Sequence, residues 1–371
     1  MNFDFPDELK QLREEARRFL GAECPLPVVR QALDERQEPA RKLWRQMADL
    51  GWLGVTIAPD CGGVGLGDEA LCVIAEELGR AVAPVPFASS VCLATAAISD
   101  HASPAQKAQW LPALADGTQI GCLALMEGVG QPHASGVEAT VRNGRLSATK
   151  WPVLDGDLAD FAIVVARDAD GSMGLFRVDL QGPGVQRTRL DSLDPTLGQA
   201  RLVFEQAPAI ALGECPCGWP AIETLIDRAA VPLAFAQVGG AQACLEMAKQ
   251  YALERYAFGR PIGSFQAIKH KLADVFVAIE LARSNAYYAA WAISTHASET
   301  TLAAATAHLS ASEAYQLAAR ENIQTHGGLG CTWEYDCHFH YRRAKLQAVL
   351  LGGAPFWRDR LLSHLPAPAT A

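Results

Sequence analysis

The apolar spacing of this chain changes period twice, and that change constrains its fold more than any single motif. Over residues 7–20, Leu9, Leu12, Ala16, Phe19 and Leu20 fall on one helical face, with Pro6 near the start. Leu43, Trp44, Met47 and Leu50 repeat the pattern over 40–50, and Gly51 stops that helix. A glycine-rich turn from Cys61 to Gly67 precedes a further helical stretch at 68–80, ending at Gly79, and Ser103 before Pro104 opens another through Leu114. At residue 121 the texture changes. Segments 121–126, 137–142, 145–149, 161–166, 174–178, 185–190 and 200–205 are short and rich in Val, Ile, Leu, Thr and Phe. Turn pairs such as Asn143-Gly144 and Asp170-Gly171 separate them, as in a meander of strands. After Cys215-Pro216-Cys217 the helical period returns through 219–254, 265–296, 299–325 and 336–363.

This order predicts an α+β fold: an N-terminal helical domain at 1–120, a middle antiparallel β domain at 121–215, and a C-terminal four-helix bundle at 216–371. A chain of 371 residues exceeds one compact core of ordinary size. The 32 basic against 41 acidic residues leave a net charge of −9, which argues against nucleic acid as the main partner. The most apolar stretch, 81–98, is broken by Pro84 and Pro86, so no membrane insertion is predicted. The start, Met1-Asn2-Phe3-Asp4-Phe5-Pro6-Asp7, lacks a basic lead into an apolar run, so a cytoplasmic location is expected. Ten scattered cysteines, several inside apolar helical patterns (Cys72, Cys92, Cys244), read as free thiols of a reducing compartment. Neither Cys215-Pro216-Cys217 nor Cys337-His338-Phe339-His340 has the second spaced pair of a zinc site, so no metal is predicted.

Two segments carry chemistry. The first runs Arg255-Tyr256-Ala257-Phe258-Gly259-Arg260 and continues to Phe265-Gln266. The second is Gln324-Thr325-His326-Gly327-Gly328-Leu329-Gly330. A guanidinium at a helix end offers a permanently charged fork for a diphosphate. A glutamine amide both donates and accepts, which suits a ribose or adenine edge. Paired glycines let a dinucleotide approach the backbone N–H groups. Taken singly, Arg255 reads as a helix-end ion pair and the glycines as an ordinary turn.

Together, and in this order of textures, the segments resemble the acyl-CoA dehydrogenase family across essentially the whole chain. Glu77-Leu78-Gly79-Arg80, Trp52-Leu53-Gly54 and Lys269-His270-Lys271-Leu272-Ala273-Asp274 add to the match. The resemblance implies FAD as cofactor and α,β-desaturation of an acyl-CoA thioester. It also implies that Arg255, Phe258, Gln266, Gln324, Gly327 and Gly328 hold the adenosine and diphosphate of FAD, reaching the flavin of a neighbouring subunit.

The residue that should remove the α proton is missing. In the family it is usually a glutamate before a glycine, after an Arg-Asp-Ala-Lys-like stretch. Here Arg342-Arg343-Ala344-Lys345 is followed by Leu351 before Gly352. Some members place the glutamate on the first bundle helix, where this chain has Ala229. Asp227 is the nearest carboxylate, but two residues put it about 200° around the helix. The flavin-side loop departs as well: Met126-Glu127-Gly128-Val129-Gly130-Gln131-Pro132-His133 replaces a Thr-Glu-Pro-x-x-Gly-Ser-Asp-like run, and Leu154 stands at a hydroxyl position after Lys150-Trp151-Pro152-Val153.

The segment Gly330-Cys331-Thr332-Trp333-Glu334-Tyr335-Asp336-Cys337-His338 is similar to that of bacterial enzymes acting on steroid side chains. With the base absent, the resemblance is to the base-lacking subunit of heteromeric, steroid side-chain type bacterial acyl-CoA dehydrogenases, a homologous chain supplying the base. Two alternatives stand beside it. One is a homodimer or homotetramer using Asp227, and the other is a non-catalytic acyl-CoA-binding scaffold.

Overall fold

A computed structural model describes residues 5–214 and 216–365. Cys215, part of the first cysteine pair, lies outside them. The helices are α1 (Asp7–Glu23), α2 (Leu26–Asp34), α3 (Gln37–Asp49), α4 (Gly67–Arg80), α5 (Ala96–His101), α6 (Pro104–Ala115), α7 (Gly218–Glu254), α8 (Gln266–Ser294), α9 (Thr300–His326), α10 (Cys337–Gln347) and α11 (Ala354–Ser363). The strands are β1 (Gly121–Ala124), β2 (Thr140–Arg142), β3 (Arg145–Leu154), β4 (Phe161–Arg167), β5 (Met173–Asp179), β6 (Val185–Leu190), β7 (Gln199–Pro208), β8 (Ile210–Ala211), β9 (Tyr256–Ala257) and β10 (Arg260–Pro261). They gather into two compact units. One joins the residues up to Pro27, Cys72–Ala83 and those from Ala230 onward; the other joins Val28–Leu71 and Pro84–Ala229.

The second unit holds an eight-stranded sheet in the order β6-β7-β3-β2-β4-β5-β8, with β1 on β4. Most pairs are antiparallel, but β1 and β2 each pair parallel with β4. Pairing between strands distant in sequence leaves no trace in alternation, so spacing alone could not show it. In β4, Phe161 to Ala166 are all buried, the pattern of a strand covered on both faces. A helix of wider winding at Ala88–Thr95 packs on β1, every residue of it but Ala88 buried. This is the apolar stretch 81–98. It has no polar face, so the helical period gave no signal there. At the start of α6, Ser103 Oγ accepts from Gln106 N at 3.3 Å and Gln106 Oε1 accepts from Ser103 N at 2.9 Å, a reciprocal cap. Deep in this unit the Arg36 guanidinium pairs with Asp155 and with Asp157 (3.1 Å) and donates to Thr196 O, while Ser89 donates to Asp155. Burial pushes the Asp155 carboxyl up, against the pull of Arg36 and Ser89.

The first unit is a helical bundle in which α8 packs along α9, with α10 and α11 against α9. The last predicted helix, 336–363, is two: α10 ends at Gln347 and α11 begins at Ala354, with Gly352 at φ 108° between them. The Glu77-Leu78-Gly79-Arg80 run now has a physical account. Glu77, almost wholly buried, accepts from Arg17 at 2.7 Å, and Arg80 pairs with Glu246. Buried Glu76 takes Arg13 at 3.2 Å and also Arg283. A Cβ on Gly79 would run into the Ala236 carbonyl, and one on Gly239 into the Glu76 carbonyl. The α4 and α7 backbones therefore touch where both residues are glycine. Among the described residues no helix is long and apolar enough to cross a membrane.

Candidate functional site

In the first unit, the C-terminal end of α7, the N-terminal end of α8 and the C-terminal end of α9 converge. Lys271 on α8 pairs with Glu321 on α9 at 3.2 Å, and the Tyr251 ring of α7 lies 4.2 Å from the His326 ring of α9. The six residues expected to clamp a dinucleotide lie at these three helix ends and in the turns that follow α7 and α9.

Arg255 leaves α7 with its main chain held at both groups: its N–H donates to Tyr251 O and its carbonyl accepts from Ile262 N, each at 2.8 Å. Its exposed side chain makes no ion pair or hydrogen bond to any described residue. A two-strand hairpin, β9 with β10, follows, and its turn places Phe258 (φ 52°) and Gly259 (φ 79°) in the left-handed region. Phe258 is 95% exposed, touching Phe265 edge-on at 6.2 Å, while the Arg260 guanidinium sits 4.1 Å from the Phe265 ring. Gln266 begins α8 and Gln324 sits in the last turn of α9. Both side chains are exposed, with no hydrogen bond to described residues.

Gly327 (φ 61°) then breaks α9, and its N–H donates to Gln324 O. Nothing lies within 4 Å of where a Cβ would stand on Gly327 or Gly328. An unspent guanidinium, two unspent amides and an open glycine turn at one bundle end suit an adenosine diphosphate. They offer cationic and neutral donors without a competing carboxylate partner.

The residues at the expected base positions lie elsewhere. Leu351 is half-buried in the turn between α10 and α11. Ala229 and Asp227 sit in the N-terminal part of α7, within the second unit, at 3% and 2% exposure. Beside Asp227, Arg228 pairs with Asp68 (3.2 Å) and Asp100 (2.5 Å).

The loop that departs from the flavin-side pattern borders an open hollow of about 670 Å³, lined by Glu127, Gln131, His133, Glu138, Thr149 and Glu205 among others. Glu127 anchors this loop: it accepts from the fully buried Lys150 at 2.7 Å and from the N–H groups of Glu138 and Ala139 at 3.1 Å. Burial pulls the Lys150 ammonium down to about 8, against the pull of Glu127.

Among the described residues no cluster of His, Cys, Asp and Glu could hold a metal. His338 stacks on Trp333 at 4.8 Å, and His340 meets the Tyr315 hydroxyl at 3.0 Å. Spacing had not singled out the rings under the glycine turn. Tyr251, His326 and Tyr335 form one cluster, with His326 5.1 Å from Tyr335. Isolated aromatics on three separate segments give no sequence signal of this kind.

Two family models match the chain: the acyl-CoA dehydrogenase N-terminal domain over residues 6–118 and the C-terminal domain over 217–359. Acyl-CoA dehydrogenase IpdE2 of Mycobacterium tuberculosis is 36% identical over 349 residues, covering 93% of each chain. Among solved structures, a chain of a variant of the Tcur3481-Tcur3483 steroid ACAD is similar at 34% identity and TM-score 0.87, over 96% of this chain and 97% of that one. A chain of the ChsE4-ChsE5 complex from Mycobacterium tuberculosis is similar at 28% identity and TM-score 0.89, over 99% and 100%.

Proposed function

Since this chain belongs to the acyl-CoA dehydrogenase family of FAD-dependent oxidoreductases, we propose that it is one subunit of a heteromeric acyl-CoA dehydrogenase. In this reading it clamps the adenosine and diphosphate of FAD, and a homologous chain supplies the base. The observation that carries the reading is an asymmetry. The clamp residues are present, exposed and unspent, while Leu351 and Ala229 occupy the two base positions and Asp227 is buried. Leucine and alanine cannot take a proton, and general-base catalysis requires a positioned group that can.

FAD held by these clamp residues would supply the acceptor for hydride from Cβ, with a partner-chain carboxylate to take the Cα proton as the Cα=Cβ double bond forms. This chain's part in that reaction is binding. Arg255 neutralises the diphosphate, the Gly327 and Gly328 backbone approaches it, Gln266 and Gln324 hydrogen-bond the adenosine, and Phe258 covers it with an apolar face. The N-terminal end of α8 adds the positive end of a 29-residue helix dipole at the same place. Support for a partner comes from α8, where Phe276, Val277 and Leu281 are 52%, 54% and 62% exposed on the same helix that Gln266 begins. The two similar solved structures named above also carry the names of two chains each.

The test is co-purification. Expressed alone, this chain is expected to show no turnover of an acyl-CoA. Expressed with a homologous chain bearing the missing glutamate, it is expected to form a complex that retains FAD and turns over. A homo-oligomer of this chain with stoichiometric FAD and full turnover overturns the proposal.

A further inference from the structure

The cluster beneath the glycine turn has a geometry that suggests more than core filling. His326 is the last residue of α9, 5% exposed, and directly precedes Gly327. Its Nδ1 lies 2.8 Å from Asn322 O. A carbonyl only accepts, so Nδ1 carries the proton and the lone pair is on Nε2. Burial lowers the affinity of the ring for a second proton, against the pull of the Asn322 carbonyl. The imidazole meets Tyr251 at 4.2 Å with 32° between the rings, and Tyr335 lies against it at 5.1 Å. Tyr251 is the residue whose carbonyl receives the Arg255 N–H. One ring contact therefore links the last turn of α7, which delivers Arg255, to the last turn of α9, which delivers Gly327 and Gly328. Gly330 packs close against the same last turn of α9, where an added Cβ would collide with the Ile323 carbonyl and crowd His326 Cβ.

We propose that His326 is a positioning residue for the diphosphate. Its ring, packed at a tilt against both Tyr251 and Tyr335, sets the spacing of the segments that carry Arg255 and Gly327–Gly328. It touches no ligand itself and acts through the two segments it separates. A diphosphate must be met by the Arg255 guanidinium and the Gly327–Gly328 backbone at once, whereas adenosine, held chiefly by the Gln266 and Gln324 amides, depends less on their spacing. This assignment rests on the half-site reading above, and its test separates the two.

The experiment is calorimetric titration of ADP and, separately, of adenosine into the deflavinated full-length protein in its purified assembly. Wild type, Arg255→Met, His326→Ala and His326→Phe are compared. His326→Ala is expected to weaken ADP at least tenfold while changing adenosine less than threefold. His326→Phe, which restores a flat ring without nitrogen atoms, is expected to return ADP to within threefold of wild type.

If Arg255→Met binds ADP as wild type does, or wild type binds none, the half-site reading itself fails. If Arg255→Met is weakened and His326→Ala is not, the positioning role is overturned while the half-site stands. Equal loss of ADP and adenosine in His326→Ala, or failure of His326→Phe to restore ADP, also overturns it, because a merely structural residue would behave so.

Discussion

Both ring nitrogens of His308 are buried with no hydrogen-bond partner among the described residues, and the ring lies 4.7 Å from Trp357, whose indole N–H likewise finds none among them. Burial drives the imidazole down to about 3, from an ordinary value of 6.5. The native ring is therefore neutral. As pH falls below 6.5 the unfolded chain binds a proton that the native chain refuses, so stability drains away until about pH 3. His308→Leu removes that term. The stability lost between pH 7 and pH 4.5 in urea melts is expected to shrink by on the order of 2 kcal/mol. An unchanged acid limb would mean that another group sets it. No reading of the sequence flagged this histidine, because a lone histidine in an alanine-rich helix resembles any other. Arg255 and Gln266 entered the reading of the sequence only because the run 255–266 resembles a family motif.

At the scale of elements, α4 and α7 meet through bare backbone at Gly79 and Gly239. Gly239→Ala places a methyl where the Glu76 carbonyl stands, in a core with little room to yield. It is expected to cost at least ~2–3 kcal/mol, seen as a lower midpoint in thermal or denaturant unfolding. Gly21→Ala, where nothing lies within 4 Å of the added Cβ, is the matched control and is expected not to destabilise. Periodicity found the helices with one polar face and the strands with regular turns. It missed α2, the buried helix at Ala88–Thr95 and the break between α10 and α11. The last two failures have a reason. A helix buried all round has no period to detect, and a glycine pair such as Gly352-Gly353 reads as a pause until the chain is seen to turn there.

For the whole molecule, the exposed row on α8 makes the strongest claim on a partner. Phe276, Val277 and Leu281 leave an apolar strip on an otherwise charged surface, and such strips usually mark an interface. Replacing Phe276 and Leu281 with Ser is expected to shift the assembly toward smaller species in analytical ultracentrifugation. The far-ultraviolet circular dichroism should be unchanged, since neither side chain supports the core. An unaltered sedimentation profile would move the interface elsewhere. The three-part order of the chain was legible from texture alone. What no linear pattern shows is that residues before Pro27, the stretch Cys72–Ala83 and those after Ala230 form one unit.

The hairpin tip has a further consequence, for supply inside a cell. Phe258 stands on a left-handed turn at 95% exposure, where the rest of its own chain gives it little shelter. On the half-site reading its cover is the adenosine of FAD, so a copy made with no FAD to hand would carry a bare aromatic ring at the hairpin tip. Cofactor supply would then bear on how well this chain stays in solution as well as on its chemistry.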